Sequence, residues 1–270
     1  LSGCNTYFGR FFTVNKPTIT TDKLFPGVEL PRPPQDSIIP YPSITNVELP
    51  PMAAWAQLKD GTVASSLEAL ADDTGMAALL IMQDGELVYE RYFNGNAPDS
   101  LQLTFSLSKS YVATLVGMAI DRGYIPSLDV PVAKYLPEFR TAEKEGITLR
   151  HLITMTSGLN QDDYGSYYKL GKIFCGRDHR AFVTGLDPIY PPGTYFAYKS
   201  TDSQLLGLCL QEATGMDVPY LLQKWIREPL GMQDRARWLT DDQGCPKFYG
   251  GLCATPRDHL RFGEFLWKQG

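Results

Sequence analysis

Two apolar runs, Ala77–Met82 and Glu86–Phe93, flank Gln83-Asp84-Gly85. An Asp-Gly pair between strand-like runs suits the two positive φ values of a tight turn, so this stretch predicts the first hairpin of an antiparallel sheet. From Ser108 the period becomes helical: Val112, Leu115, Val116 and Ala119 recur on one face, and Gly123 supplies the stop. A short helix is predicted over Ser65–Ala71. Thr148 heads another that ends at Gly158, and Thr201 begins one that stops near Gly215. Asp217 caps a further helix whose apolar face is Val218, Leu221, Leu222, Trp225 and Ile226, and Gly250-Gly251-Leu252 reads as a return to the sheet. Hairpin, helical stretch and returning strand together predict an α+β fold.

Residues 5–60 break this regularity. Pro31-Arg32-Pro33-Pro34 and Pro40-Tyr41-Pro42 forbid long helices and favour extended structure. We read residues 1–60 as an extended arm and 61–270 as the folded domain, with 106–240 mostly a helical lobe. The chain has 270 residues, 43% of them hydrophobic, enough for one large domain or two lobes. Its 25 Lys plus Arg against 30 Asp plus Glu give a net charge of −5 with no basic run, so nucleic acid is not expected as a partner. The longest apolar stretch near a helix, Tyr111–Ile120, is about half of what spans a bilayer.

The chemistry is concentrated in Phe105-Ser106-Leu107-Ser108-Lys109-Ser110. Positions i and i+3 share a helix face, so the Ser106 hydroxyl and the Lys109 amine can share one proton. Serine needs an adjacent base to become nucleophilic, and a partly desolvated lysine is one. At a helix N-terminus the pair also faces the positive end of the helix dipole, which favours negative charge developing on a substrate.

Three segments in order extend this picture: Phe105 to Tyr111; Leu149-Arg-His-Leu-Ile-Thr-Met-Thr-Ser-Gly-Leu159; and Pro192-Gly-Thr-Tyr-Phe-Ala-Tyr-Lys-Ser200 followed by Leu205-Leu-Gly207. In order and spacing they resemble the serine β-lactamase and penicillin-binding-protein superfamily, above all its class C-like branch with the 6-aminohexanoate-dimer-hydrolase-type enzymes. The resemblance covers roughly Met76 to Trp267. It implies a β-lactamase/transpeptidase-like fold, an antiparallel sheet flanked by helices beside a helical lobe, with Ser106 as nucleophile and Lys109 and Tyr198 moving protons. Ser200 stands where the family often has asparagine, which leans the reading toward amide and ester hydrolases, and Ser200 and Tyr164 are implied as substrate contacts. His151 falls in a family element that supports the fold. The family's third motif, Lys-Thr-Gly or His-x-Gly, is not found after Tyr198, and the chain is expected to stop before the strand that carries it, leaving the domain incomplete. The implied function is hydrolysis of a small amide or ester through an acyl-enzyme. The alternatives are D-peptidase or β-lactamase activity and a non-catalytic peptidoglycan-binding lipoprotein.

Leu1-Ser2-Gly3-Cys4 resembles the end of a bacterial lipoprotein signal, which implies lipidation at Cys4 and a periplasmic or cell-envelope location. Cys175, Cys209, Cys245 and Cys253 are then an even set with three pairings if all are bridged, while Cys209, on the apolar side of its helix, reads as a buried thiol. No spacing suits a metal, no cofactor is expected, and His179 and His259 have no acidic partner at a telling spacing. Oligomeric state is left open.

Overall fold

The computed structural model describes residues 18, 21–40, 47–49, 56–164 and 167–270. Its elements in chain order are β1 Gly27–Leu30, α1 Leu67–Thr74, β2 Ala78–Gln83, β3 Glu86–Tyr92, β4 Gln102–Leu103, α2 Leu107–Asp121, α3 Leu149–Ile153, α4 Tyr167–Cys175 and α5 His179–Thr184. There follow α6 Ser200–Thr214, α7 Val218–Leu221, a π-helical turn Leu222–Arg227, β5 Ala236–Leu239, β6 Leu252–Ala254 and α8 Pro256–Trp267. The chain forms two compact units, one of Leu1–Leu30, Leu103–Ile226 and Ala236–Cys253, the other of Pro31–Gln102, Arg227–Arg235 and Ala254–Gly270.

In the first unit a sheet of order β1-β5-β6-β4 stands beside the helices. β1 pairs antiparallel with β5 from Gly27↔Leu239 to Leu30↔Ala236, so the proline-rich stretch supplies an edge strand. The helical core forms around α6, whose residues from Ser200 to Leu210 are all buried. A helix buried on every side normally carries apolar residues throughout, yet the first turns of α6 are polar. Hydrogen bonds resolve the conflict: the Asp202 carboxylate accepts from Ser157 at 2.7 Å, and the Gln204 amide donates to Pro246 O and accepts from Phe248 N–H. The buried face of α2, Tyr111, Val112, Leu115, Val116 and Ala119, packs against α6. Gly207 is required here, because a Cβ would lie 2.2 Å from the Phe248 ring.

In the second unit β2 and β3 form the expected hairpin, paired from Ala78↔Tyr92 to Gln83↔Glu86 with a register shift between Ile81 and Met82, and with Asp84 and Gly85 both at positive φ. α8 packs against β2, and Leu67 and Ala71 of α1 cluster with Phe93. Arg257 on α8 clasps Glu90 on β3 through two hydrogen bonds of 2.6 and 2.7 Å.

Several element ends differ from the sequence reading. α1 begins at Leu67, capped by Ser66, and continues to Thr74, where Gly75 turns left-handed. α3 stops at Ile153 rather than near Gly158, because Met155 adopts φ +55° and Gly158 passes against Tyr190 O, where a Cβ would meet the oxygen at 2.0 Å. Asp217 precedes α7 without a side-chain cap, and after one turn the helix widens into the π turn; a short apolar run does not distinguish the two windings. None of Cys175, Cys209, Cys245 and Cys253 is in a disulfide. Cys209 is fully buried, as its position on α6 predicts, and burial pushes its thiol pKa up. Among the described residues no helix is long and apolar enough to cross a membrane.

Candidate active site

Ser106 stands at the head of α2. A serine there normally accepts a hydrogen bond from the first turn's N–H groups, but this hydroxyl makes no such cap. It receives the Lys109 ammonium instead, at 3.0 Å from Nζ to Oγ. The residue before it, Phe105, is held at φ +46°, an uncommon conformation for a side chain with a Cβ.

Lys109 is anchored from across the chain. Its Nζ donates to Tyr249 O at 2.7 Å and lies 5.1 Å from the Tyr198 ring centroid and 5.8 Å from that of Tyr249. Burial lowers its pKa to about 8, partly opposed by the negative charge of Asp163. At pH 7 about one such lysine in ten is neutral, against about one in three thousand at the ordinary value. The lysine is thus in range to act as a base.

Ser106 opens onto a pocket of the first unit lined by Phe105, Asp163, Tyr164, Phe174, Tyr198, Ser200, Tyr249 and Gly250. The structure therefore brings Ser106, Lys109, Tyr198, Ser200 and Tyr164 together. Tyr164 is 84% exposed, its ring 5.5 Å from that of Tyr198, so it stands over the opening. Ser200 behaves differently from a free substrate contact: its hydroxyl donates to Asp163 Oδ2 at 2.5 Å and its N–H to the same carboxylate. It presents to the pocket only what that commitment leaves. Cys4 lies outside the described residues.

The sequence reading passed over Asp163 and Tyr249. Asp163 sits in the Gln161–Gly165 loop beside Tyr164, and its contact with Ser200 spans 37 residues, beyond any local pattern. Tyr249 contributes a backbone oxygen, which no side-chain motif announces. Lys199, next to Tyr198, turns inward; it is buried, has no hydrogen-bond partner for Nζ among the described residues, and burial lowers its pKa against the pull of Asp202 and Asp162.

The histidines are structural. His151 completes a capping box with Thr148, accepting that residue's N–H at 3.2 Å. His179, which has no acidic partner at a telling spacing in sequence, has one in space: Asp241 Oδ2 accepts the backbone N–H of His179 at 2.6 Å and lies 3.6 Å from Nδ1. His259 is half-buried as a residue, and desolvation of its ring pushes its pKa down to about 4. Among the described residues no His, Cys, Asp and Glu cluster is arranged to hold a metal.

Known proteins resemble this chain in sequence and in fold. The chain is 27% identical over 217 residues to the 6-aminohexanoate-dimer hydrolase of Paenarthrobacter ureafaciens, covering 76% of this chain and 55% of that protein. It is 31% identical over 182 residues to esterase EstB of Burkholderia gladioli, covering 58% and 46%. The chain thus spans about half the length of the curated relatives it matches. The fold matches the solved structure named "Putative 6-aminohexanoate-dimer hydrolase from Bacillus anthracis" with a TM-score of 0.79 at 22% identity, over 96% of this chain and 69% of that one. The beta-lactamase family model matches residues 63–270, well over half of the sequence, and the chain belongs to that family.

Proposed function

We propose that the protein is a serine hydrolase that cleaves a small amide or ester through an acyl-enzyme on Ser106. The observation that carries this reading is the 3.0 Å contact between Lys109 Nζ and Ser106 Oγ at the mouth of a pocket that also holds Tyr198. Neutral Lys109 takes the Ser106 proton as Oγ bonds to the substrate carbonyl carbon, and the carbonyl π electrons move to oxygen. The tetrahedral intermediate collapses, the C–N or C–O bond breaks, and the Tyr198 hydroxyl gives its proton to the departing amine or alcohol. Tyr198 is reprotonated from Lys109. Water then adds to the acyl carbon by the same steps, releasing the acid and restoring Ser106.

The two named relatives, an amide hydrolase and an esterase, support the substrate class. The aromatic walls Phe105, Phe174, Tyr198 and Tyr249 favour an acyl group with a flat or apolar body. A fluorophosphonate probe should label the protein on Ser106, and Ser106→Ala should abolish both labelling and p-nitrophenyl ester hydrolysis. Hydrolysis near the wild-type rate in that variant would sink the assignment. An intact protein that never acylates would instead favour a binding role toward cell-wall peptides.

The same reading puts the protein in the cell envelope with a lipid on Cys4, supported by Leu1-Ser2-Gly3-Cys4 alone. Metabolic labelling with an alkyne fatty acid should mark the protein and be lost in Cys4→Ala; equal labelling of both would exclude that anchor.

A further inference from the structure

Asp163 bears on the site in two independent ways. Its backbone N–H donates to Tyr198 O at 3.0 Å, and its carboxylate accepts the Ser200 N–H at 3.1 Å on each oxygen and the Ser200 hydroxyl at 2.5 Å. Tyr198 is therefore gripped through its own carbonyl and through the residue two places on. One short loop residue fixes the strand-like approach to α6 at the point where the phenol projects. The carboxylate itself is buried and lines the pocket that Ser106 opens onto. The groups around the Lys109 ammonium are the Ser106 hydroxyl on its own helix, the Tyr198 ring, the Tyr249 ring and carbonyl, and the Asp163 charge. Of these, only Asp163 is a carboxylate.

We propose that Asp163 is a positioning residue of the hydrolytic reaction, holding Tyr198 in place through its backbone and through Ser200 while its carboxylate serves as the counter-charge to Lys109. This rests on Ser106 being the nucleophile. The alternative is a simple helix cap, because a carboxylate on the first free N–H of α6 stabilises that helix in any protein. The two roles separate by what they move. A cap alone changes stability; the proposed role also changes the proton affinity of Lys109 and the rate of the step that uses Tyr198.

The test uses Asp163→Asn, which keeps the shape and removes the charge, with Ser200→Ala, which keeps the charge and removes one hydrogen bond. In Asp163→Asn the rising limb of kcat/KM against pH should shift down by about half to one pH unit, since loss of a nearby opposite charge makes lysine easier to deprotonate. At the plateau kcat should fall about ten- to a hundredfold with KM little changed, the scale of a reacting group displaced by about 1 Å. Ser200→Ala should lower kcat less and leave the limb where it is. A limb and a kcat both unchanged in Asp163→Asn, with only the melting temperature lowered, would reduce Asp163 to a cap. Should the amide variant not fold, Asp163→Ser carries the same test.

A second readout needs no turnover. In protein labelled with 13C-lysine, the Cε signal of Lys109, assigned through Lys109→Arg, should titrate at lower pH in Asp163→Asn than in wild type. An identical midpoint would overturn the charge role. Active Ser106→Ala protein with a shifted Lys109 midpoint would defeat the assignment of the nucleophile and leave the Asp163–Lys109 coupling standing.

Discussion

Lys109 and Lys247 have closely matched surroundings in the first unit. Each ammonium donates to one backbone carbonyl, Tyr249 O at 2.7 Å for Lys109 and Phe174 O at 3.0 Å for Lys247. Each lies within 6 Å of two aromatic rings, Tyr198 and Tyr249 in one case, Phe25 and Phe174 in the other. They differ in a further partner. Lys109 meets the hydroxyl of Ser106, which is exposed at the pocket, whereas Lys247 is fully buried and meets His179 Nε2 at 3.3 Å, with Asp241 beyond that ring. A lysine in an aromatic, desolvated setting becomes chemically useful only when its proton partner can reach a substrate. Enclosed, the same arrangement is a staple.

The staple still serves the site. Ile173 O accepts from the Tyr249 hydroxyl at 3.0 Å and lies 2.7 Å from His179 Nε2, and Phe174 O accepts from Lys247, so two of the last carbonyls of α4 are satisfied by a cluster of three polar side chains. A cation is also favourable at that end of a helix. Lys247 and Tyr249 are two residues apart, and the second carries the carbonyl that anchors Lys109. The buried cluster thereby stiffens the wall against which Lys109 rests.

The largest effect should come from removing the open pair. Lys109→Ala should lower kcat/KM for a p-nitrophenyl ester by about a thousandfold or more, almost as far as Ser106→Ala, and the double variant should be no slower than the worse single, because residues acting as a unit do not add. Independent, multiplying losses would mean that Lys109 is not the base for Ser106.

Next is Tyr198→Phe. The ring position over Lys109 survives this change and only the hydroxyl is lost. Acylation should slow by about a hundredfold, the scale of general acid-base catalysis, with kcat affected more than KM. A change confined to KM would make the hydroxyl a binding group.

Lys247→Met should invert this behaviour. Taking one member out of a buried polar pair costs about 3 kcal/mol of stability, read as an earlier urea midpoint, while kcat per folded molecule stays within about tenfold. A catalytic loss as large as that of Lys109→Ala, at unchanged stability, would erase the distinction between the two lysines.

The same comparison separates what could be read along the chain from what could not. Ser106 and Lys109 are three residues apart on one helix, so a periodic reading finds them, and Tyr198 was found from its place two residues before Ser200 in a family segment. Lys109 meets Tyr249 O across 140 residues, and His179 meets Asp241 across 62 and Lys247 across 68. No local spacing encodes such contacts. The hairpin was legible because its turn chemistry and its alternation agree. The ends of α1 and α3 were misplaced because Asp72-Asp73-Thr74 continue a helix that no breaker stops before Gly75, while Met155 leaves one without any glycine. The polar first turns of α6 are buried, and no local pattern announces it, since their partners come from distant segments.

The pH profile sharpens the open half of the comparison. Only neutral Lys109 can accept the Ser106 proton, so kcat/KM should rise with pH and level off above about 8, where burial places the ammonium's pKa. A rate independent of pH between 6 and 9 would require another base.

The smallest effect concerns a third buried charge. Burial raises the pKa of Asp202 to about 7, although Ser157 donates to it and Lys199 lies near enough to lower it. The folded state therefore holds this proton more tightly than the unfolded chain, in which an aspartate titrates near 3.9. Stability from Asp202 is complete below about pH 4 and is lost as pH rises through about 7, with a limiting slope of one proton, tenfold in the unfolding equilibrium per pH unit. Asp202→Asn keeps an acceptor for Ser157 and cannot ionise. Its urea midpoint should vary less than that of wild type between pH 4 and 7, with the difference between the two proteins moving in the variant's favour toward pH 7. Parallel curves over that range would mean that Asp202 is ionised throughout, with Lys199 as its buried counter-ion, and the lysine beside Tyr198 would then be held charged.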